Sequence, residues 1–298
     1  MIHFEIINDL KDAENVWRLL SYNQTLFDTW EFRNCFAKYY NFEPYFILGK
    51  DDSGECIGLL PLQFNSEKGY LEFFGGSWME DNKIYLKPGF EQFAKEFYEK
   101  IDKPAHLIGI NGTDEFSKSL PIDDYKYQLD ISYYKNYLDF IADKFNSKTQ
   151  ATFRRKFRKI EEELPMEFLL NQEQDIEMLF DYNMKTFGED SSFNVPFRKE
   201  IYRDILKLPF KIHMLSIRSN GIVQAVSLNV EYNGILYYLN AGSNNMEIPN
   251  LGSYTIMKSI EIGINNNLKI FDALMINYNW KERWHFAKIP FNKFEHLL

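Results

Sequence analysis

The most basic stretch of the chain is a candidate anion-binding element. Six of the twelve residues from 148 to 159 are Lys or Arg. On a helix, Arg154 and Arg158 share one face, and the planar guanidinium groups of Arg154 and Arg155 can each grip two phosphate oxygens. Three glutamates follow at 161–163, so a solvated helix with internal ion pairs explains the pattern equally well. These acids favour a phosphate-bearing small molecule over nucleic acid as the ligand.

A second candidate site lies where the loop from Glu247 runs into a predicted helix. The first turn of a helix offers free N–H groups and the positive end of its dipole, both of which favour an anion. Glycine at position 252 lets the backbone come close to such a ligand. The candidate residues are Asn250, Leu251, Gly252 and Ser253. An ordinary capped helix start produces the same pattern.

A third candidate follows the last predicted buried strand, residues 268–274. Asp272, Trp280 and Lys281 place an acid, an aromatic ring and a cation after this strand, and open sheets bind ligands at such strand ends. Packing of Trp280 or solvation of Lys281 is the alternative. Tyr238 and Asn240 lie on the preceding strand, where neighbouring side chains point to opposite faces.

Several kinds of chemistry lack support in the sequence. There is no Gly-x-Ser-x-Gly, no P-loop and no Gly-x-Gly-x-x-Gly, so nucleophilic hydrolysis, ATP hydrolysis and nicotinamide chemistry have no motif. Two cysteines and five histidines without metal-ligand spacing predict no metal site.

Composition predicts a folded protein with a large apolar core. Of 298 residues, 45% are hydrophobic and 17% aromatic, which excludes wholesale disorder. The net charge of -9 is opposite in sign to that of proteins that coat nucleic acid. No run reaches the roughly 18 apolar residues of a membrane span, and the first residues lack a signal-peptide layout. These observations predict a cytoplasmic protein without a membrane span.

The predicted elements occur in the same order twice. Each half of the chain shows helices, a three-stranded antiparallel meander, a further helix and a final strand. In the first half the helices are at 9–21, 28–40 and 90–101, and the strands at 45–49, 56–62, 70–74 and 106–110. In the second half the helices are at 132–145, 147–164, 173–187, 197–208 and 252–266, and the strands at 211–217, 222–231, 235–241 and 268–274.

Glycines at the predicted turns repeat at an almost constant distance. Three pairs are separated by 165 to 167 residues: Gly54 and Gly221, Gly69 and Gly234, and Gly76 and Gly242. Matching apolar runs flank each pair, which indicates an internal duplication. Coincidence is the alternative, because hairpins with glycine turns are common.

A series of loose motifs in a fixed order connects the chain to a family. They comprise residues 44–48 and 57–62, residues 71–76 with Asp81, Ser147 with Arg154, Arg155 and Arg158, Tyr237-Tyr238 with Gly242 and Gly252, and Phe271-Asp272 with Lys281 and Trp284. With these motifs in this order, the chain resembles the GNAT-like acetyltransferase family that includes the cellulose-biosynthesis protein CelD. Its plan is also similar to that of the FemAB peptidoglycan aminoacyltransferases, which carry two GNAT-like units in tandem. Trp280 stands where the family usually has Tyr.

The resemblance implies an α+β fold of two tandem GNAT-like units, each a mixed, mainly antiparallel sheet flanked by helices. Residues 1–130 would form a degenerate unit, and residues 131–298 the unit with the active site. The implied activity moves an acyl group, such as acetyl, from coenzyme A to an amine or hydroxyl of a small-molecule, sugar or cell-envelope acceptor. The alternatives are aminoacyl transfer from aminoacyl-tRNA, with tRNA as the partner, and a non-catalytic GNAT-like binding protein.

The resemblance also implies roles for particular residues. GNAT enzymes bind the coenzyme A pyrophosphate with a Q/R-x-x-G-x-G/A loop, and the best match here begins at Glu247, whose charge would repel phosphate. Acetyl-CoA or another acyl-CoA would bind at residues 250–253. The implied catalytic residues are Tyr238, Asp272 and Lys281, and the implied substrate-binding residues are Arg154, Arg155 and Trp280. A paired, structural Asp272 is an equally good interpretation.

Overall fold

A computed structural model describes residues 1–276 and 280–296 of the chain, and for Glu163 it describes the backbone alone. Residues 277–279, which belong to the third candidate segment, lie outside the described residues. Among the described residues, no helix combines the length and the apolar character needed to span a membrane.

The chain forms two compact units. The first contains residues 1–126 and 289–298, and the second contains residues 127–288. The predicted division at Asp130 assigns residues 289–296 to the second unit, whereas the structure places them with the first. The reason is a strand pairing between the end of the chain and residues 105–110.

The helices and strands are numbered here in chain order. The first part of the chain contains β1 (His3–Ile7), α1 (Leu10–Leu20), α2 (Trp30–Ala37), β2 (Phe42–Lys50), β3 (Cys56–Asn65), β4 (Tyr70–Phe73), β5 (Tyr85–Leu86), α3 (Ala94–Tyr98), β6 (Ala105–Ile110), α4 (Glu115–Ser119) and β7 (Ile122–Asp130). The second part contains α5 (Tyr137–Lys144), α6 (Ser147–Glu163), β8 (Met166–Leu170), α7 (Ile176–Phe187), α8 (Arg198–Ile205), β9 (Lys211–Ser219), β10 (Ile222–Tyr232), β11 (Ile235–Ser243), α9 (Leu251–Asn265), β12 (Ile270–Asp272), α10 (Trp280–Arg283) and β13 (Ala287–His296).

The two units have the same strand order. In the first unit the order is β1-β2-β3-β4-β6-β13, with β5 beside β3, and in the second it is β8-β9-β10-β11-β12-β7. Only one pair in each series is parallel, β4 with β6 and β11 with β12, and the other pairs are antiparallel. Each unit is therefore a mixed, mainly antiparallel sheet with flanking helices, as predicted.

Two of the three glycine pairs occupy equivalent turns. Gly54 and Gly221 both have positive φ in the turn after the second strand of their unit, and Gly69 and Gly234 do so after the third. The third pair is not equivalent. Gly76 has φ +84° in a loop after β4, whereas Gly242 lies within β11 without a positive φ.

The helix α6 forms because its sequence is amphipathic and capped. Asn146 Oδ1 accepts from the Thr149 N–H at 2.9 Å, and Phe157 and Ile160 are buried in the core of the second unit. The cations lie on the remaining surface. Arg158 pairs with Glu162 at 3.4 Å, as the spacing of four residues predicts.

Candidate functional site

The parallel strands β11 and β12 diverge in the second unit. Their pairing covers three residues and ends at Tyr237 opposite Asp272. The chain after β12 stays hydrogen-bonded to β7: the Ala273 N–H donates to the Tyr127 carbonyl at 2.9 Å. Within the described part of the chain, residues 238–243 of β11 have no strand partner on the β12 side. These six residues are called the open edge.

A β-bulge turns the backbone groups of the open edge. The register between β10 and β11 shifts at Leu228 and Asn229, which leaves Leu239 without an opposite residue. A bulge redirects the polar groups that follow it. The Leu239 carbonyl accepts from the Tyr202 hydroxyl at 3.3 Å, so side chains replace a neighbouring strand as partners here.

A buried polar network surrounds the middle of the open edge. Asn183 of α7 donates from Nδ2 to Asn240 Oδ1 at 3.0 Å and to the Ala241 carbonyl at 3.3 Å. The Ser191 hydroxyl donates to Asn183 Oδ1 at 2.7 Å, and Asn240 Nδ2 donates to the Tyr202 hydroxyl at 3.3 Å. Asn183, Ser191 and Tyr202 are each at most 5% exposed.

Sequence reasoning missed Asn183, Ser191 and Tyr202. Each lies on a different element from the open edge, and no motif marks it. One signal in the sequence was Gly242. Because glycine has no side chain, α7 can pack closely against β11 at this position. An added Cβ there would lie 2.4 Å from the Leu179 carbonyl oxygen and 2.9 Å from Tyr182 Cβ.

Tyr238 and Trp280 meet in an aromatic cluster. The Tyr238 ring lies 5.6 Å from Phe271 and 6.2 Å from Trp280, and Trp280 lies 5.7 Å from Phe286. Burial raises the pKa of the Tyr238 hydroxyl, so the side chain stays a neutral phenol at physiological pH. A neutral phenol can donate a hydrogen bond or a proton and does not act as a base.

Asp272 lies on the opposite face of the sheet from Tyr238. Tyr237 is the residue that pairs with Asp272, and successive residues of a strand point to opposite faces. The Asp272 carboxylate is fully buried and accepts from Gln128 Nε2 at 2.9 Å and from the Leu274 N–H at 2.8 Å. These contacts are those of a structural aspartate, and the two predicted catalytic residues do not lie side by side.

Lys281 is buried rather than solvated. It is 2% exposed, and its Nζ donates to the carbonyls of Leu274 at 3.1 Å and Met275 at 2.5 Å. Leu274 and Ile276 have φ values of 65° and 64°, which are unfavourable for a β-branched residue such as Ile276. The ammonium group therefore supports the strained loop that follows β12.

The N-terminus of α9 is partly occupied by the protein itself. Asn250 adopts a left-handed conformation with φ 71°, which asparagine tolerates better than most residues. The Gly252 N–H donates to Asn245 Oδ1 at 2.7 Å, and the Leu251 N–H donates to the Ile248 carbonyl at 3.2 Å. An amide oxygen thus already occupies a position that suits a phosphate oxygen.

Polar side chains lie close to the start of this helix. Glu247 is exposed and accepts from Asn244 Nδ2 at 2.8 Å. A Cβ added at Gly252 would lie 2.9 Å from Asn245 Nδ2 and 3.2 Å from Ser243 Oγ. Ser253 is half-buried and Leu251 is fully buried.

The arginines of α6 are exposed. Arg154 contacts Gln150 Oε1 at 3.4 Å, which is a long hydrogen bond, and Arg155 lies on the solvent side of the same helix. The structure therefore brings Tyr238 together with Trp280 and leaves both arginines on a helix surface. In the described ranges, no group of three or more His, Cys, Asp or Glu side chains is placed to hold a metal ion.

Comparisons with known proteins agree with this architecture. Residues 147–282 match the family model described as "Acetyltransferase (GNAT) domain". FemX superimposes with a TM-score of 0.60 at 11% identity, covering 99% of this chain and 97% of that one. L-PGS from Bacillus licheniformis gives 0.59 at 11% identity, covering 96% and 91%. A search of curated proteins gave no sequence match.

A tandem GNAT protein from the clavulanic acid biosynthesis pathway also superimposes over nearly the whole chain. Its TM-score is 0.53 at 9% identity, with coverage of 99% of this chain and 98% of that one. At such identities the likeness defines the fold. The chain thus has the tandem GNAT fold over its whole length, and its residues 147–282 match the acetyltransferase (GNAT) domain model.

Proposed function

We propose that the protein transfers an acyl group to an amine or hydroxyl at the open edge of β11. The observation that carries this proposal is the divergence of β11 and β12 after Tyr237 and Asp272. The divergence leaves polar groups at a strand edge where the carbonyl of an acyl donor can be held and polarised. The GNAT domain match over residues 147–282 includes this segment.

The proposed reaction is a direct transfer between two bound substrates. The acceptor nitrogen or oxygen forms a bond to the acyl carbon, and the carbonyl electron pair moves to its oxygen. The bond to the leaving group then breaks as that pair returns, and the leaving group takes up a proton. The acceptor gives up its proton to water. The phenol of Tyr238 is the proposed proton donor to the leaving group; burial raises its pKa and so keeps the hydroxyl protonated until the leaving group takes the proton.

The proposed donor is acetyl-CoA or another acyl-CoA, with its pyrophosphate at residues 250–253. The support is the left-handed Asn250 and the amide oxygen of Asn245 on the Gly252 N–H. A pyrophosphate oxygen would replace this amide oxygen, since helix N-termini bind anions. Asn245 is exposed, so its side chain has room to move aside.

Calorimetric titration with acetyl-CoA tests the donor. We expect Asn245→Ala to bind acetyl-CoA at least as tightly as the wild type, because no side chain has to leave the Gly252 N–H. Glu247→Gln should bind equally or better, and Gly252→Val more weakly. Equal binding by Gly252→Val in a folded protein would contradict the assignment of this loop.

Aminoacyl transfer from aminoacyl-tRNA is the second candidate function. The observation that favours it is the exposure of Arg154 and Arg155 on α6. Contacts of these arginines with RNA phosphates would make binding weaken steeply with salt. Fluorescence anisotropy with a labelled aminoacyl-tRNA tests this, with Arg154→Ala/Arg155→Ala as the variant and Lys95→Ala, an exposed lysine of α3 paired with Glu99, as the control.

The two donors give different results in these experiments. Acetyl-CoA binding that depends on Gly252 supports the first donor, and salt-sensitive tRNA binding that depends on the two arginines supports the second. Binding of neither donor, together with no acyl transfer, would leave a non-catalytic GNAT-like binding protein.

A further inference from the structure

The orientation of the Asn240 side chain follows from a backbone donor. The Ala241 N–H donates to Asn240 at 2.8 Å, and a backbone N–H needs an acceptor, so the Asn240 atom involved is Oδ1. The Asn183 atom that meets this same oxygen at 3.0 Å must then be Nδ2. Asn183 Oδ1 in turn accepts from the Ser191 hydroxyl at 2.7 Å. Each amide of this chain has one orientation that satisfies its neighbours.

The fixed oxygen of Asn240 determines where its amide nitrogen points. With Oδ1 held by two donors, Nδ2 lies on the other side of the side chain, next to the Tyr202 hydroxyl at 3.3 Å. An Asn amide carries two N–H donors. Among the described residues, Tyr202 is the partner of one of them, and Asn240 is partly exposed at the open edge. Among the described residues, the second N–H has no hydrogen-bond partner, and it belongs to a partly exposed residue of the open edge.

We propose that Asn240 is a catalytic residue whose Nδ2–H binds the acyl carbonyl oxygen, and that Asn183 is the residue that positions it. This inference rests on the proposed acyl transfer and adds the group that stabilises the developing negative charge. An oriented amide N–H in a largely buried site gains no new order during the reaction, which makes it an effective donor to an oxyanion. Asn183 acts through Asn240 and through the Ala241 carbonyl, to which it also donates at 3.3 Å.

The test separates the amide donor from the fold. In Asn240→Asp, a carboxylate oxygen still accepts from the Ala241 N–H and from Asn183. The Tyr202 hydroxyl turns from the Leu239 carbonyl to donate to the other oxygen. The variant therefore keeps the contacts with Ala241 and Asn183 and loses the N–H. Asn194→Ala is the matched control, because Asn194 is an exposed asparagine near Ser191 whose Nδ2 donates to the Gly188 carbonyl at 2.7 Å.

The probe is 4-nitrophenyl acetate, which presents an acyl carbonyl without a pyrophosphate. We expect Asn240→Asp to lower kcat for its hydrolysis about a hundredfold, in line with the loss of one oxyanion donor, with KM unchanged. Asn183→Ala should lower kcat about tenfold with KM unchanged, and Asn194→Ala should match the wild type. Circular dichroism and thermal unfolding establish that each variant is folded.

Two results would overturn the inference. One is an Asn240→Asp variant that hydrolyses the ester as fast as the wild type, and the other is an Asn183→Ala variant that behaves like Asn194→Ala. Titration with acetyl-CoA on the same proteins separates this failure from failure of the proposed donor. Ester hydrolysis that depends on Asn240 without acetyl-CoA binding would support the inference and remove the donor. Acetyl transfer that does not depend on Asn240 would overturn the inference and support acetyl-CoA as the donor.

Discussion

In each unit the two parallel strands diverge and leave a gap between them. The two units differ in what occupies this gap. In the first unit, β4 pairs with β6 at one position, Leu71 opposite Ala105. Further along β6, Asn82 forms a parallel bridge with Ile110, while β13 occupies the other edge of β6. Asn82 therefore fills the gap of the first unit, whereas side chains line the open edge of the second.

A buried ionic cluster holds the inserted segment of the first unit. Lys83 Nζ lies 3.0 Å from Asp28 and 3.3 Å from Asp81, and Lys126 Nζ lies 3.0 Å from Asp81. All four side chains are at most 5% exposed. Arg33 also donates to Asn82 Oδ1 at 2.7 Å.

The comparison shows how one strand order can serve two purposes. A gap filled by a bridged backbone segment and paired charges has its polar groups satisfied within the unit. A gap with an open strand edge keeps donors and acceptors for a substrate. This difference supports the proposal that acyl transfer takes place in the second unit.

The largest effect is expected from Asp81→Asn in the filled gap. The substitution removes the negative charge that Lys83 and Lys126, both buried, pair with. Loss of one partner of a buried ion pair costs about 3–5 kcal/mol of unfolding free energy. Urea unfolding measures this. The control is Glu55→Gln, which removes an exposed pair with Lys87 and should cost less than about 1 kcal/mol. A loss below about 1 kcal/mol for Asp81→Asn would contradict the filled-gap model.

The effect of Asp81→Asn on the unfolding free energy should also depend on pH. Burial by itself would raise the pKa of Asp81, but Lys126 and Lys83 hold it below its usual value. A carboxyl with a lowered pKa in the folded state stabilises the fold above its unfolded pKa of about 4, and this stabilisation is lost as the pH falls further. The difference in unfolding free energy between wild type and Asp81→Asn should therefore shrink when the pH is lowered from 6 to 3.

A smaller effect is expected at Gly242 beside the open edge. Gly242→Ala places a methyl group 2.4 Å from the Leu179 backbone oxygen, so α7 must move, at a cost of about 3 kcal/mol. In Gly252→Ala the new atom meets the end of the Asn245 side chain at 2.9 Å, and we expect less than about 1 kcal/mol. Equal unfolding free energies for these two variants would show that α7 does not depend on Gly242.

Of the three test variants Asp81→Asn, Gly242→Ala and Lys281→Met, the last is expected to lose the least stability. The variant removes the ammonium group that donates to the Leu274 and Met275 carbonyls. The expected loss of unfolding free energy is about 1–3 kcal/mol. Acyl transfer should fall as well, because these carbonyls belong to the loop after β12. Lost activity with unchanged stability would favour direct anion binding by Lys281, and full activity would exclude both roles.

Much of the fold could be predicted because its signals are local. Both meanders and the main helices follow from apolar periodicity, and two glycine pairs mark equivalent turns. Of the strands in the described residues, five were not predicted: β1, β5, β7, β8 and β13. β7 shows why: Asp123, Asp124 and Lys126 interrupt its apolar pattern, and its pairing with β12 joins residues more than 100 positions apart.

The candidate site was predicted only in outline. The strand with Tyr238 and the helix that follows Asn250 are predicted by local sequence patterns. The separation of Tyr238 and Asp272 onto opposite faces follows from the register of β11 and β12, which the sequence reveals only as alternation. The burial of Lys281 depends on the path of the chain after β12.

The sequence by itself determined the local elements, the order of strands along the chain and the turns that need glycine or asparagine, because these depend on neighbouring residues. Only the tertiary structure decided which gap is filled and which residues hold the open edge. Asn183 meets Asn240 across 57 positions and Lys126 meets Asp81 across 45. Such contacts depend on how distant elements pack, and the energy of a buried amide or charge comes from that packing and not from its neighbours in the chain.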